Sequence, residues 1–448
     1  MTPVLKILIG GAFLPTLLWA QTRLTLEEAL RRCRQGNLNL RIAQNEVHAA
    51  QQQVRQFLST GLPQINATGN YYYNIQPQQF ILPGEFFGQP GTFQRVNASP
   101  PFQASVGISA NLRLIDGSYI YGLQASRLYK DITGAQALQT EAALVRDVKE
   151  VFGQILYMRE NLQLLEEDIA DAQKLRNETE AYVKQGFREW VDARLVQFST
   201  DTLQLTRRRL TVALEGLELM LKNYLSLPPE EPLQYSETLE SLCQSMMHGI
   251  PTSDSLGAMD LKAPELKILE LSARARSLNE KVEFARSFPS LSTFLNWGYA
   301  GFSNELSRPL LFTSSGQYFP SGTVWGFSLN IPVFSSLYRL SSQKQARLQT
   351  KNSQLLLKAT TQSLDTRLRL VKAQLRLALE SLHQAERNVA LQQEIQSLNR
   401  TKYREGLLSS FELLQTDGQF RAARRSQLAA RYQIISLLAQ YEYLTGKF

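Results

Sequence analysis

A chain of 448 residues has room for two or three ordinary domains, yet with 25 glycines and 17 prolines it carries no Ser/Gly-rich stretch that would act as a linker. Its 48 basic and 40 acidic residues leave a formal charge of +8, spread among Glu, Asp and Gln along helical segments rather than gathered with aromatics, which argues for a solvated helical surface and against a nucleic-acid patch. Two cysteines are too few for a disulfide scaffold.

Lys6 precedes an apolar stretch that ends at Leu18, Trp19 and Ala20. This is the pattern of a secretory signal peptide, too short to span a bilayer, and it predicts export with Gln21 as the first mature residue. Removing Lys6 with it leaves +7. No cysteine stands at the start of the mature chain, so a lipoprotein anchor is not expected. No later apolar run reaches the roughly 18 residues that a transmembrane helix requires.

A helix is predicted over 26–61. From Gln64 the period changes to two, with Ile65, Ala67, Gly69, Tyr71 and Tyr73 on one face and Gln64, Asn66, Thr68, Asn70 and Tyr72 on the other, which is a strand. A second alternating run places Val106, Ile108, Ala110, Leu112 and Leu114 together. A long helix follows over 122–185, with a heptad-like seam through Leu138, Ala142, Val145, Val148, Phe152, Ile155, Leu162, Leu165, Ile169, Ala172, Leu175, Thr179 and Tyr182. A turn precedes a helix over 190–226. The plan then repeats at an offset of about 226 residues: Leu40 falls on Leu266, Ile42 on Ile268 and Pro63 on Pro289, both prolines standing where a helix gives way to a strand. In the second copy Leu291, Thr293, Leu295, Trp297 and Tyr299 share one strand face, and Trp325, Phe327, Leu329, Ile331 and Val333 another. Long and short helices follow over 337–404 and 410–444.

The expected organisation is a signal peptide (1–20), a first short helix (21–61), a first β-hairpin with an extracellular loop (62–121), a long helix, turn and short helix (122–227), and an inter-repeat segment (228–262). The second repeat supplies a short helix (263–287), a second hairpin with its loop (288–335), and a long helix, turn and final helix (336–448). Segments 75–104 and 302–321 read as loops closing the hairpins.

Strands of about ten residues match the roughly 9–11 that cross a bilayer at a tilt, and Tyr71, Tyr73, Trp297, Tyr299 and Trp325 suit an interfacial aromatic belt. Four strands cannot close a barrel, because single-chain examples begin at about eight. An open edge in lipid strands backbone groups at several kcal/mol each. Three copies would give twelve strands. At ~1.5 Å per residue the long helices extend roughly 95–100 Å, so they must project from the membrane.

The duplicated helix, proline and strand unit, the strand at 328–334 leading into a long helix, the Tyr-X-X-Gly turn at Tyr403–Gly406 and the closing segment at 441–446 together resemble the TolC family of outer-membrane efflux proteins. The resemblance covers nearly all of the chain after the signal. It implies a mainly helical fold with transmembrane β-structure: a homotrimeric duct with a twelve-stranded barrel in outer-membrane lipid above a periplasmic α-barrel. Such a duct docks a periplasmic adaptor protein and an inner-membrane pump, for efflux or type I secretion.

In that family two carboxylates three positions apart ring the periplasmic entrance. The matching positions are Glu412 and Gln415, so one acid is kept, with Asp417 nearby. The family also ties its halves at the tip through an Asp, Arg and Tyr network. Asp192 and Tyr403 match, but the Arg position is Leu408, leaving Arg404 or Arg188 as substitutes. The first strand-to-helix corner, at 114–118, resembles the family's Phe-Asp-Gly turn, and the second does not. The family places the start of the first helix and the inter-repeat segment at one level of the tunnel, so the resemblance implies a possible disulfide between Cys33 and Cys243, the other reading being two buried thiols.

His48, His248 and His383 are far apart and none has a second ligand at metal spacing. There is no nucleophile elbow, and Thr445, Gly446 and Lys447 lack the rest of a phosphate loop. No enzyme, cofactor, metal or nucleic-acid partner is expected. The rival from another class is a soluble periplasmic coiled-coil adaptor or scaffold, distinguished by detergent dependence.

Overall fold

The computed structural model describes residues 23–248, 261–306 and 321–448. The expected signal peptide at 1–20 and parts of the inter-repeat segment and second loop lie outside the described residues. In chain order the elements are β1 (Arg23–Leu24), α1 (Leu26–Gly36), α2 (Leu38–Ser59), β2 (Gln64–Tyr73), β3 (Gln79–Pro83), a 3-10 turn (Gly84–Phe87), β4 (Phe93–Asn97), β5 (Phe102–Ile115), α3 (Gly117–Lys184), α4 (Trp190–Leu225), β6 (Gln234–Tyr235), α5 (Leu239–His248), α6 (Pro264–Ala285), β7 (Ser290–Ser303), β8 (Ser321–Asn330), α7 (Tyr338–Arg404) and α8 (Ser410–Thr445). No helix among the described residues is long and apolar enough to cross a membrane.

The chain divides into two compact units, one of residues 42–138 and 264–363, the other of 1–41, 139–263 and 364–448. The first holds a four-stranded antiparallel sheet in the order β2-β5-β7-β8. Its register puts Ala67, Ile108, Trp297 and Thr323 in one row across the strands, and Ile65, Ala110, Leu295 and Trp325 in another. These rows lie on a single, mostly apolar face. The opposite face carries Asn66, Ser109, Asn296 and Val324 in one row, then Thr68, Gly107, Gly298 and Gly322 in the next. Large apolar side chains on the first face are exposed, including Ile65, Ile108, Leu295, Trp325 and Phe327. Among the described residues, β2 and β8 each pair on one side only.

β8 ends at Asn330, short of the alternation that the sequence continues to Val333; Pro332 has no amide to donate to a ladder. The first loop contains the hairpin β3–β4, which the turn-rich composition of 75–104 concealed.

α3 runs 68 residues, roughly 100 Å of helix, and from Gln139 onward it belongs to the second unit. Its predicted seam is buried from Ala142 to Ile155, and Leu165, Ile169 and Ala172 pack on Leu203 of α4; Leu138, assigned to the same seam, is exposed. α3 meets α8 so closely that a Cβ on Gly153 would stand 2.9 Å from Ile435. β1 pairs in parallel with β6, an element too short to show a period.

The helix predicted over 26–61 is two helices. Asn37 breaks it: its amide bonds Cys33 O (3.0 Å), its side-chain oxygen accepts from the amides of Asn39 (2.9 Å) and Leu40 (3.2 Å), and its Nδ2 donates to Tyr224 O (2.8 Å). Asn37 thus caps α2 and pins it to the end of α4.

Candidate functional site

The two helix–turn–helix ends of the second unit build the site. Both turns use a left-handed glycine, Gly186 at φ +81° and Gly406 at φ +78°, a conformation a side chain would strain. The Gly406 turn also sends the Leu407 amide back to Lys402 O (2.9 Å), and the Gly186 turn sends Phe187 to Tyr182 O (2.9 Å). Each reverses the chain in a few residues and brings the start of α4 and the start of α8 to the same region.

Tyr403 is the centre of that region. It is 2% exposed. Its hydroxyl lies 2.9 Å from Thr179 Oγ1 and 3.3 Å from Ser410 Oγ. The Thr179 hydroxyl already donates to Leu175 O (2.8 Å), so the Tyr403 hydroxyl donates to Thr179 and accepts from Ser410. The Arg188 guanidinium sits over the Tyr403 ring at 4.5 Å and donates to Leu408 O (2.9 Å) and Tyr403 O (3.3 Å). A cation on an aromatic face, with carbonyls in reach, ties the first-repeat turn to the second without a carboxylate.

Below it Arg400 joins three helices. It donates to Asp171 Oδ2 (3.0 Å) on α3 and lies 3.4 Å from Asp417 Oδ1 on α8, which also accepts from Gln396 (2.7 Å). Burial alone would lower the Arg400 pKa, but Asp417 and Asp171 more than offset it and hold the guanidinium charged. Arg424 donates to Glu167 (2.8 Å) on the same α3 face. A cavity of about 200 Å³ opens among Asp171, Glu178, Arg400, Tyr403, Arg404 and Asp417.

The residues expected at the entrance therefore separate. Glu412 is exposed and closes a capping box with Ser409: the Ser409 amide and hydroxyl donate to Glu412 Oε2 (3.0 and 2.8 Å), and the Glu412 amide donates to Ser409 Oγ (3.2 Å). Those bonds, the backbone one first, lower its pKa. Gln415 is exposed one turn on. Asp417 is 5% exposed and spoken for by Arg400 and Gln396, so it offers no free carboxylate to a bore, contrary to its assignment beside Glu412.

In the expected tip network, Tyr403 is central, but Arg404 is exposed and Arg188 takes the arginine's place. Asp192 stands in the first turn of α4, and among the described residues no hydrogen bond or ion pair reaches its carboxylate. Thr179 and Arg400 were missed as partners. Thr179 gave a signal, a hydroxyl in an apolar seam; Arg400 gave none, because its partner Asp171 is 229 residues away.

Of the two readings offered for the cysteines, the structure has the second: Cys33 and Cys243 are free, buried thiols and no disulfide joins them. Cys33 lies in α1 near Arg34 and Glu141, Cys243 in α5 near Arg431, Glu240 and Glu386, and burial pushes each thiol up to about 11. The five belt aromatics share one sheet face but stand in different rows. Trp325 is level with Ile65, Trp297 with Ala67 and Tyr299 with Gly69, while Tyr71 and Tyr73 stack near Phe102 at the other end of β2.

This duplicated architecture matches a known one. The Outer membrane efflux protein family matches residues 29–221 and 259–447. The chain belongs to that family. It is an outer-membrane efflux channel protein that extends into the periplasm. Its fold is shared with solved channels at low identity. The transmembrane channel CusC is 19% identical, with a TM-score of 0.75 over 94% of this chain and 91% of that one. The outer membrane protein VceC of Vibrio cholerae is 12% identical, with a TM-score of 0.74 over 94% and 96%. The outer membrane channel CmeC of Campylobacter jejuni is 14% identical, with a TM-score of 0.74 over 99% and 94%. Among curated proteins none matches the chain in sequence. The efflux protein's family is one of transport rather than catalysis, and the soluble scaffold is not favoured.

Proposed function

We propose that three copies of the efflux protein join their sheets edge to edge, β2 of one to β8 of the next, into a twelve-stranded barrel through the outer membrane, with the long helices forming a periplasmic tunnel. The observation that carries this reading is the sheet itself: among the described residues two edges without a partner strand, and one exposed apolar face on a backbone whose other face is mostly small and polar. In hydrocarbon, open edges cost several kcal/mol per unpaired group, and closure by other copies removes them. The chain performs no chemistry. Export is driven through a periplasmic adaptor and an inner-membrane pump that meet the helix–turn–helix ends, and the domain boundaries expected from sequence describe its parts.

At those ends Arg188 and Tyr403 hold the two repeats of a chain together and restrict the entrance, and Glu412, repeated three times, gives the entrance its preference for cations. Purified protein in planar bilayers tests both. Arg188→Ala should raise single-channel conductance several-fold, and Glu412→Gln should reduce cation selectivity. Unchanged conductance in the first rejects the lock; unchanged selectivity in the second leaves Glu412 a helix cap alone. Absence of any channel from a monomeric, detergent-independent protein rejects the whole reading.

A further inference from the structure

α6 runs into β7 and α7 leaves β8, so the adjoining turns of these two helices stand beside the sheet. Their antiparallel register is set by Gln343 Nε2 donating to Ser287 Oγ (2.9 Å) and Arg276 Nη1 donating to Gln349 Oε1 (3.3 Å). Between them runs an open groove of about 480 Å³. Going away from the sheet, its lining changes in order: first Phe284 and Leu340, both large, apolar and exposed, then Lys281 and Lys344, then Arg347, with one carboxylate, Glu280. Among the described residues none of Lys281, Lys344 and Arg347 makes an ion pair or hydrogen bond. The charge is local to this helix: from 338 to 376 the sequence has nine basic residues against one acid, Asp365, and no acid stands in the first turn of α7. The groove between α2 and α3 next to the first hairpin, lined by Gln53, Gln56, Phe57, Thr60, Ser126 and Tyr129, carries no charge at all.

Apolar surface nearest the sheet and cations one to two turns farther out is the polarity of a phospholipid whose chains enter the membrane and whose head faces the periplasm. We propose that this groove holds an anionic phospholipid of the membrane's periplasmic leaflet, its phosphate on Lys281, Lys344 and Arg347 and an acyl chain along Phe284 and Leu340. The inference rests on the reading of the sheet as membrane-crossing, which places the groove at headgroup depth. Cations at that depth attract anionic lipid over zwitterionic lipid, and their apolar stems add to the chain contact.

Native mass spectrometry of the detergent-solubilised protein, loaded with phosphatidylglycerol or phosphatidylcholine of identical chains, tests it. Wild type should retain phosphatidylglycerol about fivefold or more over phosphatidylcholine, the scale of one or two interfacial cations. The double variant Lys344→Gln, Arg347→Gln should bring the two lipids to parity. Equal retention in wild type, or an unchanged preference in the variant, overturns the site. Complete displacement of the lipid by millimolar inorganic phosphate overturns the lipid assignment in favour of a free anion. If the double variant fails to fold, the wild-type ratio and Lys281→Gln alone decide. The same spectra report the assembly: trimers without lipid preference reject this site only, whereas a monomer that needs no detergent rejects the membrane reading.

Discussion

Residue by residue, the tip departs from what its sequence motif implies in an informative way. Leu408 cannot supply the guanidinium expected of that position, yet its carbonyl accepts from Arg188, which comes from the other repeat. The lock therefore rests on a cation–ring contact and neutral carbonyls, and loss of a carboxylate charge in mild acid does not remove it. The thiols carry a second residue-scale prediction. Burial pushes both thiols up to about 11, which keeps Cys33 and Cys243 in the unreactive thiol form at pH 8. Alkylation by iodoacetamide followed by mass spectrometry should find both cysteines unmodified in the folded protein and both modified after denaturation; fast labelling of the native form would show that they are not shielded. Tyr403 stood out through the Tyr-X-X-Gly turn, whereas Glu412 came from the family resemblance alone, local spacing marking it only as an acid at a helix start. Arg400 and the burial of Asp417 were not legible, because an ion pair across repeats leaves no trace in local spacing.

Among the elements, periodicity located the long helices to within a few residues at either end: the helix expected over 337–404 spans Tyr338–Arg404, and that over 410–444 spans Ser410–Thr445. It failed at Asn37. The apolar pattern of α1 continues into α2 without a phase break, and only the asparagine's bond to Tyr224 O shows why the chain stops and restarts there. Asn37→Ala should cost about 1–2 kcal/mol through the lost cap and the buried bond. Thermal unfolding should report it, and hydrogen exchange should show the loss concentrated in the amides of Asn39 and Leu40. The hairpin β3–β4 was hidden for a different reason: its strands are five residues each, too short for an alternation to stand out from a loop of mixed composition.

For the whole molecule, the sheet decides. One face is apolar in its middle rows, while the opposite face is small and polar around Thr68, Gly107, Gly298 and Gly322, and this makes paired predictions. Ile108→Lys places a cation in the middle of the apolar face and should cost about 2–4 kcal/mol per chain in lipid, seen as loss of the protein from outer-membrane fractions. Gly322→Lys lies on the polar face where a Cβ meets nothing within 4 Å, and should assemble normally while lowering conductance. If both variants insert equally well, the apolar face is not in contact with hydrocarbon. Gly298 on the same polar row is less tolerant, because a Cβ there would stand 2.9 Å from Val106 O in the adjacent strand.

The sequence by itself determined where the long helices and the four long strands run, which strand face is apolar, that the plan is duplicated and that one chain has too few strands to close a barrel. All of these follow from periods of two and of three to four residues, from prolines at element boundaries and from lengths. Only the tertiary structure decided that Arg188 rather than Arg404 meets Tyr403, that Asp417 is ion-paired by Arg400 and hydrogen-bonded by Gln396, that the two cysteines lie in separate surroundings, and that Lys344 and Arg347 of α7 line one groove with Phe284 and Lys281 of α6. Each of these joins residues distant in sequence, and which side chains meet across such a distance depends on how the helices pack against one another, which no local period records.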